Sequence, residues 1–86
     1  MLTREEILFL LDEMIEHQRQ KVLDIARKMN PHLTPEDLRN FDDFPYLRDN
    51  PRYNFEDGIL TGYLGARTAL IAELNLKEDT PASGEK

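Results

Sequence analysis

The stretch from Thr3 to Met29 contains nothing that breaks a helix, and its length constrains everything else the chain can do. Thr3 and Glu6 stand three apart as a capping box, in which hydroxyl and carboxylate each take up a free backbone N–H of the first turn. Leu2 and Ile7 occupy the two positions of a hydrophobic staple, and Asn30-Pro31 supplies the stop. The spacing predicts a helix over about 4–29, roughly 39 Å long at 1.5 Å per residue. Leu8, Leu11, Ile15, Gln18, Val22, Ile25 and Met29 keep a three-four spacing, the pattern of a coiled-coil seam. Ile7, Leu10, Met14, Leu23 and Ala26 widen that seam into a core-facing stripe. Glu5, Glu6, Asp12, Glu13 and Glu16 precede Arg19, Lys21, Arg27 and Lys28, an order that complements the helix dipole.

The next stretch, residues 30–54, holds four of the five prolines, Pro31, Pro35, Pro45 and Pro51. Five of the seven aromatic residues, Phe41, Phe44, Tyr46, Tyr53 and Phe55, lie in it or at its border. Thr34-Pro35-Glu36-Asp37 reads as an N-cap, a proline at the first helical position and acids in the first turn. A short helix is expected over about 35–41, followed by turn material at Phe44-Pro45-Tyr46-Leu47 and Asp49-Asn50-Pro51. So many rings imply an ordered loop packed on the long helices.

A second long helix is expected over about 55–76. Asn50-Pro51 and Asn54-Phe55 are alternative starts, and Asn54 has Asp57 three residues on. Gly58, Gly62, Gly65, Ala69 and Ala72 are spaced four, three, four and three, so they fall within about 40° of one line down this helix. Glycine inside a helix costs about 0.5–1 kcal/mol relative to alanine, so three of them call for a compensating close approach of another backbone. Leu60, Leu64, Ile71 and Leu74, with Ile59, Tyr63, Ala66 and Leu70 beside them, form an aliphatic side roughly opposite. A helix apolar or small nearly all round needs neighbours on two sides. The stripe can meet them within the monomer or across a two-fold axis, and the second arrangement is the favoured expectation.

The expected fold is thus all-α: an antiparallel hairpin of two long helices joined by a long aromatic and proline-rich loop with a short helix. Two such hairpins would dimerise into a four-helix bundle. One domain over 1–76 and an unstructured tail over 77–86 complete the expected organisation. Gln18, the polar residue of the first seam, joins the five small residues as the expected dimer interface, where it would fix register or pair with its symmetry mate.

Function is much less constrained. With 17 acidic against 11 basic residues, the net charge of −6 argues against nucleic acid or an anionic membrane as partner. Arg67 and Glu73 make the third helix a poor membrane span, and the acidic N-terminus is unlike a signal peptide, so a cytoplasmic protein is expected. Without cysteine there is no disulfide or thiolate metal site. The lone serine, Ser83, falls in the expected tail, which excludes a serine hydrolase. Asp12-Glu13-Met14-Ile15-Glu16 resembles in outline the acidic half-motif of the all-helical nucleotide pyrophosphohydrolases, whose clustered carboxylates hold Mg²⁺. The second acidic pair has no counterpart on the third helix, and Glu13 and Glu16 point away from the seam, so a solvated acidic face is the reading retained. Glu13 and His17, four apart, and the loop residue His32 read as surface residues. The basic residues Arg19, Lys21, Arg27, Lys28, Arg39, Arg48 and Arg52 would make an anion patch only if the loop folded back over helix one.

These features point to a small non-enzymatic dimeric helical protein acting through protein–protein contacts, with no cofactor and no metal. Its expected partner surface is the aromatic loop: Phe41, Phe44, Tyr46 and Tyr53 with Arg48 and Arg52. The alternative is a small anion-binding or metal-dependent helical enzyme built on Arg19, Arg48, Arg52 or Arg67.

Overall fold

In a computed structural model, α1 (Arg4–Met29) and α4 (Pro51–Ser83) lie antiparallel. They are joined by α2 (Pro35–Leu38), a 3-10 turn (Phe41–Asp43) and α3 (Pro45–Arg48). The backbone is described for residues 1–83 and the side chains through Asn75. The tail expected over 77–86 therefore lies outside the residues whose side chains are described.

The caps do what the sequence implies for α1. Thr3 N–H donates to Glu6 Oε1 at 2.8 Å, and Glu6 N–H donates to Thr3 Oγ1 at 3.1 Å. Thr34 and Asp37 form a second capping box at the head of α2. That helix ends at Leu38 rather than near residue 41, and the Phe44-Pro45 segment read as turn material carries the extra helical turn α3. The start of α4 is at Pro51, four residues before the expected 55. Asn50 decides it: its Oδ1 accepts from Tyr53 N–H at 2.8 Å, with Pro51 at the first helical position. Asn54 instead donates from Nδ2 to the Arg48 carbonyl at 2.8 Å, which ties α3 to the first turn of α4.

Register along the hairpin is set at three levels. Arg4 donates to Asn75 Oδ1 at the open end, Arg67 pairs with Asp12 midway, and Gln18 meets Glu56 nearer the loop. Tyr53, Glu56, Leu60, Tyr63, Arg67, Ile71 and Leu74 are buried or half-buried on a three-four line of α4 that faces α1, with the half-buried Asp57 and Ile59 flanking it.

The fully buried core sits at the loop end only. It contains Ile15, Val22, Ile25 and Ala26 of α1, Tyr53 and Leu60 of α4, and Leu33 and Leu47 from the connection. A pair of helices can shield only the seam between them, and here the connection supplies a third wall. It is fastened by Arg27 Nε, which donates to the Leu33 carbonyl at 2.8 Å, and by Asn30 Nδ2, which donates to the Tyr46 hydroxyl at 3.1 Å. Towards the open end no third element covers the pair among the described residues, and Leu2, Phe9, Leu10, Met14, Leu64 and Leu70 are exposed. The radius of gyration is 17.2 Å, against the roughly 12 Å of a compact domain of this length. One chain is an elongated hairpin, with extents of 53 × 25 × 20 Å.

Candidate functional site

Gln18 is the polar break in the α1 seam, and its partner lies across the hairpin in the same chain. Its Nε2 donates to both the Glu56 carbonyl and Glu56 Oε1, each at 2.8 Å. Lys21 Nζ stands 3.4 Å from the other carboxylate oxygen. Gln18 is 6% exposed and Glu56 8%, so this is a buried polar cluster. The Gln18 hydrogen bond, followed by the Lys21 charge, holds the Glu56 carboxyl below its ordinary value against the opposing effect of burial. The Gln18 amide is thus bonded across the hairpin within the chain, where it fixes hairpin register. Glu56 was not singled out from sequence. The available signal was its place on the 53–56–60–63 line, opposite the one polar residue of the α1 seam.

One residue further on, Asp57 is in a different situation. It is half-buried and makes no hydrogen bond or ion pair among the described residues. Burial raises its carboxyl above the ordinary value. The Tyr53 hydroxyl, one turn earlier, is fully buried and has no hydrogen-bond partner among the described residues. Burial first, and then the Asp57 charge, push this phenol up to about 12. Asp57 also lines a cleft of about 460 Å³ between α1, α2 and α4. Its apolar walls include Leu23, Leu38 and Leu60, and Arg19 and Arg39 also line it.

The expected partner surface divides in two. Tyr53 is 0% exposed and stacks at a tilt on the half-buried Phe41, ring centroids 5.7 Å apart. Phe44 is half-buried and lies 5.9 Å from Tyr46. Tyr53 is therefore removed from any partner surface, because the loop uses its rings to close the core. Tyr46, Arg48 and Arg52 remain exposed.

The small-residue stripe faces the other way. Gly58, Gly62, Gly65, Ala69 and Ala72 are all exposed, on the side of α4 opposite its line against α1. A Cβ added at Gly58, Gly62 or Gly65 would meet nothing within 4 Å. Among the described residues, neither α1 nor the connection covers the stripe.

Four of the basic residues are paired with neighbouring acids. Arg19 pairs with Glu16, Lys21 with Glu56, Arg39 with Glu36 and Arg48 with Asp49. Glu13, Glu16 and His17 are exposed, and no group of three or more metal-ligating side chains comes together among the described residues. Among the described residues no helix is long and apolar enough to cross a membrane. Comparison with protein-family models, curated proteins and solved structures returned no match to this chain.

Proposed function

We propose that this chain is a small non-enzymatic protein that self-associates as a helical hairpin and acts through protein–protein contacts. The observation that carries the reading is the outer surface of α4. Three glycines and two alanines lie in line there, exposed, with nothing among the described residues over the glycines, and Phe55 on the same side is 67% exposed. Each helical glycine costs about 0.5–1 kcal/mol, and no contact among the described residues offsets that cost. A second helix backbone lying along the stripe would do so, and a second hairpin is the simplest source of one. The exposed apolar residues of the open end, Leu10, Met14, Leu64 and Leu70, would be covered in the same assembly.

Gly62→Leu is a clean test because the monomer has room for the new side chain. The variant is expected to keep its helical circular dichroism while its mass by light scattering falls from the dimer value to about 10.1 kDa. A native protein that already runs at the monomer mass at micromolar concentration would overturn the reading.

A further inference from the structure

We propose that the cleft between α1, α2 and α4 binds a primary ammonium group carried on an apolar body, with Asp57 as its counter-ion. The site belongs to one chain, so it does not depend on self-association. At about 460 Å³ the cleft falls within the range of small-molecule sites. Its other charged groups are already matched: Glu16 with Arg19 at 3.9 Å, and Arg39 with Glu36 at 3.8 Å. Asp57 is the lining charge left without a partner among the described residues, and it is less exposed than Arg19 or Arg39. A carboxylate withdrawn from water and unpaired is costly, so a cation brought to it recovers more than the same cation would gain at the surface. An ammonium head is compact and offers three donors to an acceptor-only carboxylate. Leu23, Leu38 and Leu60 supply the surface on which an apolar body would lie.

The test is an NMR titration of the ¹⁵N-labelled full chain at pH 7 and constant ionic strength. Phenethylammonium is the probe, and 2-phenylethanol is its neutral counterpart. Saturable amide shifts confined to the neighbourhood of residues 19–23, 35–39 and 57–60 are expected. Affinity should fall at least ten-fold for the alcohol and at least ten-fold in Asp57→Asn. Shifts that do not saturate, or a smaller difference in either comparison, would overturn the proposal. The alcohol comparison uses the unaltered protein, so the outcome holds even if the variant folds poorly. Nα-acetyl-lysine methylamide carries the same ammonium on a protein-like stem. Tighter binding of this compound assigns the natural source to a lysine side chain, and tighter binding of phenethylammonium assigns it to a free amine.

Discussion

Two adjacent carboxylates on α4 illustrate how local surroundings decide the worth of a side chain. Glu56 accepts from Gln18 and Lys21, and its carboxyl is held below the ordinary 4.5. It therefore stabilises the fold above that value, and the contribution is lost as pH falls through the lower folded value. Asp57 has the opposite sign. Its folded carboxyl lies above the ordinary 3.8, so its charge costs stability at neutral pH and the cost is relieved as pH falls. Thermal melts at pH 7 should thus show Glu56→Gln less stable than the native protein and Asp57→Asn as stable or more so. Both differences should shrink in acid. Tyr53 adds a third case, because a buried hydroxyl without a partner costs about 1–3 kcal/mol. Tyr53→Phe removes that group and keeps the ring against Phe41, so urea unfolding should show a gain of up to about 1 kcal/mol.

At the scale of elements, the hairpin is held by a seam on each helix and by a connection that closes only one end. Leu47 of α3 is 0% exposed and belongs to the core at that end. Leu47→Ala should cost about 2–5 kcal/mol in denaturant, as large-to-small core substitutions do. Leu10→Ala at the open end, where the residue is 49% exposed, should cost far less in the monomer. Gln18→Ala is expected to cost about 1–3 kcal/mol, because it leaves the Glu56 carboxylate and carbonyl without their amide partner. Helix α1 and its cap were legible in the sequence because the capping box, the seam and the charge order are all local and all agree. The start of α4 was less legible. Asn50 and Asn54 are both good caps, and in the fold Asn50 takes the cap while Asn54 bonds back to the Arg48 carbonyl.

At the scale of the molecule, one hairpin leaves two surfaces unfinished: the open end and the outer face of α4. Self-association should finish both, and it makes stability depend on concentration. The native thermal midpoint is therefore expected to rise with protein concentration, and that of Gly62→Leu to stay fixed. Calorimetry over a hundred-fold dilution series checks this.

The sequence by itself determined that the chain is helical, where α1 begins and ends, and that α4 has a small side and an aliphatic side, because caps and periodicity act over a few residues. Only the tertiary structure decided which way those sides face. Packing of α1 on the 53–56–60–63 line turned the small stripe outward, matched Gln18 to Glu56, drew Tyr53 into the core and left Asp57 beside a cleft. Each of these outcomes depends on residues far apart in the chain. No local spacing specifies them, because burial and pairing are settled by whatever the fold brings alongside.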